Sequence, residues 1–239
     1  MEKWQWSCCN NNINDRKGIC IFILSGKNLM HFYFRKEMVM QKQPAGENFV
    51  YQIGNNLYLN ITNRCTNNCV FCIRQSQRGV GYNLWLSREP GFAELVQRIG
   101  DPTRYEEVVF CGYGEPLLRP ELVGQVAGVI KEKGGKVRIN TNGQVRLWYN
   151  GDLARTLFGN VECINISLNA HRPEEYIKIC RPFYKEKAYQ AMLSFIEECA
   201  GLIPRVVLSV VNWPGVDLAE CQCIANRYGV ELKIRNYIC

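Results

Sequence analysis

From about residue 48 onward, short apolar runs alternate with longer amphipathic stretches. Runs typical of β-strands occur at residues 57–61, 108–111, 137–141, 163–168, 206–211 and 231–234. A further run at residues 49–53 precedes the first of these, and the Gly-Asn-Asn sequence at 54–56 predicts a hairpin between them.

The intervening stretches predict helices, most clearly at residues 120–133. There Leu122, Val126 and Val129 recur at helical spacing, Pro120 favours the helix start, and two glycines at 134–135 end it. Further helices are predicted at residues 92–99, 152–158, 187–199 and 218–228. Alternation of this kind predicts an α/β fold with parallel strands and right-handed crossovers, here a TIM-like partial (β/α)6 barrel.

The first 44 residues lack this periodicity. Clusters of Trp, Cys and Asn occur there without helical or strand spacing, so we expect either a disordered extension or a mis-assigned start upstream of Met38 or Met40. Residues 45–239 are predicted to form one domain.

The net charge of +7 raises the question of a nucleic-acid partner. Residues 1–44 contribute +4 of it (seven Lys/Arg against three Asp/Glu), which leaves +3 for the predicted domain. No concentrated basic face is evident, so direct nucleic-acid binding is not expected. The apolar run at residues 19–24 is much shorter than the roughly 20 residues of a membrane-spanning helix, so no membrane anchor is predicted. Thirteen cysteines without a secretory signal indicate reduced thiols and a cytoplasmic location.

Three cysteines follow the first barrel strand directly. Cys65, Cys69 and Cys72 have the spacing CxxxCxxC, and three thiolates can hold three irons of a [4Fe–4S] cluster. The fourth iron is then free to chelate S-adenosylmethionine (SAM). The alternatives are structural zinc, which prefers four ligands, and buried cysteines without a ligand role, which is the interpretation given to Cys163, Cys180 and Cys199.

The loop resembles the signature of the radical SAM superfamily, CxxxCx(aromatic)C, with Phe71 at the aromatic position. A second segment, Cys-Gly-Tyr-Gly-Glu-Pro at residues 111–116, is similar to the GGEP motif of that superfamily. The resemblance implies that Tyr113, Gly114 and Glu115 contact the SAM ammonium group. Taken alone, the segment is a glycine-rich turn that ends a strand.

Two further strand ends resemble SAM-contacting segments. Asn140 and Asn142 lie in an Asn-Thr-Asn-Gly sequence, and Ser167 and Asn169 lie in a Ser-Leu-Asn-Ala sequence. The resemblance implies contacts with the SAM carboxylate and ribose. An Asn-Gly pair alone indicates only a turn.

Two weaker candidates complete the cofactor set. Asn212 follows the fifth strand and resembles a ribose-contacting asparagine, although it is equally suited to cap the next turn. The Arg181 guanidinium offers a bidentate fork for the SAM carboxylate, and the alternative is an exposed surface arginine.

Longer strings at residues 60–69, 110–116 and 234–237 resemble the radical SAM proteins associated with TatD-family nucleases. The resemblance implies a radical SAM enzyme that cleaves SAM reductively to a 5′-deoxyadenosyl radical, with an electron donor such as flavodoxin or ferredoxin and a TatD-family nuclease as a possible partner. The sequence does not identify the substrate or the catalytic residues that act on it. Two alternatives stay open: a protein modifier like the glycyl-radical activases, and a non-enzymatic iron–sulfur binding or redox module. Because no accessory domain is expected to close the barrel mouth, we expect a macromolecular or partner-supplied lid.

Overall fold

The computed structural model describes residues 46–76 and 79–237. The predictions for residues 1–44 therefore lie outside the described residues. The described part contains one seven-stranded sheet in which the strands follow their order along the chain. Strand β1 (Val50–Ile53) pairs antiparallel with β2 (Asn56–Leu59), which confirms the predicted hairpin.

All later pairings are parallel. Strands β3 (Val108–Phe110), β4 (Val137–Thr141), β5 (Cys163–Ser167), β6 (Arg205–Asn212) and β7 (Glu231–Asn236) follow β2 in turn. Parallel neighbours in chain order are the arrangement of a TIM-like barrel, here opened after six strands, as predicted.

Six α-helices connect the strands within the described residues. They are α1 (Phe92–Ile99), α2 (Pro120–Glu132), α3 (Leu153–Thr156), α4 (Pro173–Cys180), α5 (Glu186–Ala200) and α6 (Leu218–Arg227). Five of them were predicted. Helix α4 was not, because eight residues are a short window for a helical period, yet it packs beside the loop of residues 60–72 that carries the three cysteines, called the cysteine loop below. Within the part that the structure describes, no helix combines the length and apolar character needed to cross a membrane.

The two faces of the parallel sheet differ in chemistry. Apolar side chains such as Ile139, Ile164 and Leu208 join the core formed with the helices. The alternate residues of the same strands face the barrel interior, because successive side chains on a strand point to opposite faces. We call this inner face the lumen. It carries mainly polar side chains toward the carboxyl ends of the strands: Cys111, Asn140, Asn165, Ser167, Ser209, Lys233 and Arg235.

Candidate functional site

The cysteine loop begins where β2 ends. All three thiols are half-buried, and two of their sulfurs accept hydrogen bonds. The backbone N–H of Asn67 donates to Sγ of Cys65 at 3.4 Å, and Nε of Arg74 donates to Sγ of Cys72 at 3.3 Å. Donors aimed at sulfur stabilise thiolates and the sulfurs of iron–sulfur clusters.

The protein surroundings alone oppose ionisation of two of these thiols. Burial raises the pKa of Cys65 to about 12, and a hydrogen bond with Cys180 together with burial raises the pKa of Cys69. A bound metal ion deprotonates a coordinating thiol. The positive charge of iron would therefore stabilise the thiolates that the protein surroundings alone disfavour. Cluster binding is therefore expected to release protons.

The donor set fits a cluster better than a single ion. In residues 46–76 and 79–237, no group of three or more His, Cys, Asp or Glu side chains converges closely enough to hold one metal ion. A [4Fe–4S] cluster binds each thiolate at a different iron, so its ligands need not meet at one point. Three soft sulfurs on one loop therefore match the cluster.

Cys180 lies behind the loop, next to Cys69. It is fully buried at the end of α4, and its sulfur accepts a 3.6 Å hydrogen bond from Nδ2 of Asn169. The predicted core role of Cys180 and Cys199 agrees with their position in the hydrophobic core, and Cys163 is buried as well.

A buried polar network fixes the base of the cysteine loop. Nδ2 of Asn67 donates to the Tyr176 hydroxyl at 3.0 Å, and Nε2 of Gln144 lies 2.9 Å from that hydroxyl and 2.7 Å from Oδ1 of Asn67. Backbone N–H groups of residues 68 and 70 also bond to the last carbonyls of α4. The loop is thus tied to both β4 and α4.

Gly114 brings the second predicted motif against this loop. A Cβ added at Gly114 would lie 2.3 Å from the carbonyl oxygen of Thr62 and 2.5 Å from that of Arg64. The adjacent N–H of Glu115 donates to the same Arg64 carbonyl at 2.8 Å. The close approach of two protein segments therefore requires a glycine here. The ligand contact implied by the motif is a separate prediction.

The Glu115 side chain turns away from solvent toward the end of β4. Its carboxylate accepts from the Thr141 hydroxyl and from the Asn142 N–H, both at 2.7 Å, and from the Leu117 N–H at 3.0 Å. Burial nevertheless raises the pKa of Glu115 to about 7. The carboxylate thereby links two of the predicted motifs and positions the segment that carries Asn142.

Asn142 reaches the cysteine loop, whereas Asn140 faces the lumen. Nδ2 of Asn142 donates to Oγ1 of Thr66 at 2.8 Å and lies 3.9 Å from Sγ of Cys65. Oδ1 of Asn140 accepts from Arg138 at 3.1 Å. Asn142 of this pair therefore contacts side chains of the cysteine loop, whereas Asn140 contacts Arg138.

The two aromatic candidates make packing contacts. The Tyr113 ring meets Trp85 edge-on at 5.2 Å and is 9% exposed, while the Phe71 ring meets Trp213 at 5.6 Å. Phe71 therefore connects the cysteine loop to the residues after β6.

Ser167 ends β5 on the lumen face, half-buried and beside Ser209 in the register. Asn169 has a left-handed backbone (φ 56°) and is buried, with its amide on Cys180. Arg181 follows α4 with a left-handed backbone conformation, and its side chain is exposed. Asn212 at the end of β6 is exposed as well. The SAM-contact roles assigned to these residues stay predictions.

Sequence reasoning missed three residues that build the site: Arg74, Gln144 and Tyr176. Arg74 lies two residues after the last cysteine, a proximity that could have marked it. Gln144 and Tyr176 belong to no motif that we identified, and their contact depends on helix α4, which was not predicted.

Comparison with known proteins decides the family. A family model described as the radical SAM superfamily matches residues 59–226. The chain belongs to the radical SAM superfamily. The match covers the cysteine loop and all strands from β3 to β6, which confirms the predicted superfamily and, at the family level, an enzyme that uses SAM and a [4Fe–4S] cluster.

Two curated relatives are 26% and 27% identical to this radical SAM chain over the aligned residues. A probable GTP 3′,8-cyclase of Methanothermobacter thermautotrophicus is 27% identical over 164 residues, covering 69% of the chain and 50% of the relative. A 7-carboxy-7-deazaguanine synthase of Methanocaldococcus jannaschii is 26% identical over 175 residues, covering 67% of the chain and 65% of the relative. The chain thus spans about half the length of the cyclase it matches.

Among solved structures, SuiB of Streptococcus suis bound to its precursor peptide SuiA has the same fold. The TM-score is 0.60 at 12% identity, and the alignment covers 79% of the chain and 40% of SuiB. This likeness supports the barrel architecture.

Proposed function

We propose that this protein binds a [4Fe–4S] cluster through Cys65, Cys69 and Cys72 and cleaves SAM reductively. The chemistry supplied when both cofactors are bound is a one-electron cleavage that gives methionine and a 5′-deoxyadenosyl radical. The observation that carries the proposal is the half-buried loop of three thiols at the carboxyl end of β2, with N–H donors on two of its sulfurs.

The chain's own residues orient this loop. The Asn67–Gln144–Tyr176 network holds its base, and Asn142 bonds to Thr66 between the first two cysteines. A rigid loop presents its thiols in one arrangement, which reduces the entropy lost when a cofactor is bound.

Anaerobic reconstitution with iron, sulfide, dithionite and SAM tests the proposal. We expect 5′-deoxyadenosine as a product, together with the electron paramagnetic resonance (EPR) signal of a reduced [4Fe–4S] cluster. Cys72→Ala should lose both, because it removes one thiolate ligand. A cluster-replete wild-type preparation that forms no 5′-deoxyadenosine would contradict the proposal.

Two matched variants control for the loss of any cysteine. Cys163→Ala lies on β5 and Cys180→Ala lies beside Cys69, and neither is a proposed ligand. Both should keep the cluster signal and SAM cleavage. If Cys180→Ala lost the cluster as completely as Cys72→Ala, four thiolates would hold it and no iron would be open to SAM.

The substrate and partners are further proposals. GTP, which appears in the name of a relative, is a suitable first substrate for screening. A TatD-family nuclease and a flavodoxin or ferredoxin are proposed partners, as is a protein substrate in the manner of glycyl-radical activases. Product analysis with and without a co-expressed nuclease separates these cases. The non-enzymatic iron–sulfur module is disfavoured by membership in the superfamily.

A further inference from the structure

The last strand places two cations on the lumen face. Lys233 lies beside Ser209 in the β6–β7 register, and Arg235 lies beside Val211, two positions further along the same face. Arg235 is also within electrostatic range of the Cys111 and Cys69 thiols. Both cations therefore stand at the carboxyl-end half of the lumen, on the side of the cysteine loop.

These two charges differ from the arginines at the amino ends of the strands. Arg138 is paired with Glu107 at 2.8 Å, and Arg205 is paired with Glu231 at 2.8 Å. Within residues 46–76 and 79–237, no acidic side chain forms an ion pair with Lys233 or Arg235. Among the described residues, the positive charge near the mouth thus has no carboxylate partner, while Arg138 and Arg205 at the amino ends of the strands each have one.

Two buried polar atoms on the inner face lack partners, one on Ser209 beside Lys233 and one on Asn165, two strands away from β7. Ser209 is 0% exposed and its Oγ has no hydrogen bond, and Asn165 is 8% exposed with an unpartnered Oδ1. Both belong to the inner faces of the strands that precede β7. Leaving buried polar groups unpaired is costly, and such groups are commonly satisfied by a ligand or ordered water.

We propose that the lumen binds a phosphate-bearing small molecule, the substrate of the radical reaction, through Lys233, Arg235 and Ser209. Two cations match the charge of a phosphate group, the serine hydroxyl can donate to it, and Oδ1 of Asn165 accepts from a neighbouring hydroxyl or amino group of the same ligand. The substrate assignment rests on the proposed function, but anion binding can be measured without it.

Inorganic pyrophosphate is a suitable probe. Calorimetric titration into the anaerobic, cluster-reconstituted protein should show binding that Arg235→Gln and Lys233→Gln each weaken about tenfold, because each removes one charge-assisted contact. Ser209→Ala should weaken it by a smaller factor. Succinate should bind more weakly than pyrophosphate, and the reverse order would overturn the assignment to phosphate.

Arg205→Gln is the matched control. It removes the same charge from the same barrel face at the opposite end of the strands and should leave pyrophosphate affinity unchanged. Equal weakening in all three charge variants, or in none, would overturn the proposal. Weakened SAM binding in Arg235→Gln with unchanged pyrophosphate affinity would also overturn it, since the guanidinium would then pair with the SAM carboxylate.

The assay for 5′-deoxyadenosine separates the two proposals. If wild-type protein cleaves SAM but the Lys233 and Arg235 variants bind pyrophosphate as tightly as the wild type, the lumen site is wrong and the proposed function stands. If pyrophosphate binding follows these residues but SAM is not cleaved, the proposed function fails and the anion site stands.

Discussion

Nε of Arg74 lies 3.3 Å from Sγ of Cys72, and the same guanidinium reaches the carbonyl oxygens of Asn63 and Asn67 at 3.4 Å. Three hydrogen bonds thus hold it against the cysteine loop. A cation and an N–H donor at a cluster thiolate both stabilise the reduced, more negative state of the cluster.

Arg74→Gln is therefore expected to lower the midpoint potential of the cluster. A hydrogen bond to a charged group contributes about 1.5 kcal/mol, which corresponds to a shift of about 60 mV for one electron. A redox titration followed by EPR measures it. Arg74→Lys keeps the charge and should shift the potential less, and equal shifts in both variants would show that charge has no part in the effect.

Glu115 predicts a pH dependence of stability. Burial raises its pKa from 4.5 to about 7, so between these values the folded protein holds more protons on this group than the unfolded chain does. The free energy of unfolding must then fall as pH rises through this window, by at most about 1.4 kcal/mol per unit, and level off above the folded pKa.

Urea unfolding of the wild type and Glu115→Gln at about pH 5 and about pH 8 measures this dependence. The amide does not titrate, so the stability of the wild type relative to the variant should be larger at the lower pH. If the stability of the wild type relative to Glu115→Gln increased with pH, the three hydrogen-bond donors would lower the pKa of Glu115 by more than burial raises it.

Tyr176→Phe should loosen the cysteine loop. The change removes the hydroxyl that accepts from Asn67 and Gln144, and leaving buried donors unpaired costs about 1–3 kcal/mol. Hydrogen exchange at residues 66–70 should accelerate. Tyr189→Phe is the control, since its ring packs against Tyr176 at 5.5 Å but its hydroxyl makes a single 3.3 Å bond to a backbone carbonyl. Equal acceleration in both variants would contradict a specific role for the network.

The strand pattern was sufficient to predict the barrel, and the cysteine spacing marked the loop that is proposed to hold the cluster. Apolar residues such as Ile139 and Ile164 alternate with polar ones, and this period-two signal is local to the sequence. The partners of Gln144 and Tyr176 are not local, because 32 residues separate the two. Their contact depends on how α4 packs, and this helix of eight residues is too short for its spacing to fix a packing partner.

The SAM-contact candidates show a second limit of motif reasoning. A motif identifies a strand end, but it does not say which way each side chain points. Glu115 points toward β4 and Asn169 points toward Cys180, so both make protein contacts that the motif alone could not indicate. Asn142 and Ser167 face the loop and the lumen, where a cofactor contact remains a prediction.

Gly114→Ala tests whether two motifs must touch for the site to form. The added methyl would lie 2.3 Å and 2.5 Å from two backbone carbonyl oxygens. Backbone atoms cannot move aside as the end of a flexible side chain can. The second motif must therefore separate from the cysteine loop, at a cost of about 1–3 kcal/mol. The midpoint of urea unfolding should fall, and the reconstituted variant should hold less iron. Gly201→Ala supplies the control, because its nearest neighbour lies 4.0 Å away. If Gly114→Ala kept full stability and iron content, the contact between the segments would not be needed to shape the cluster loop.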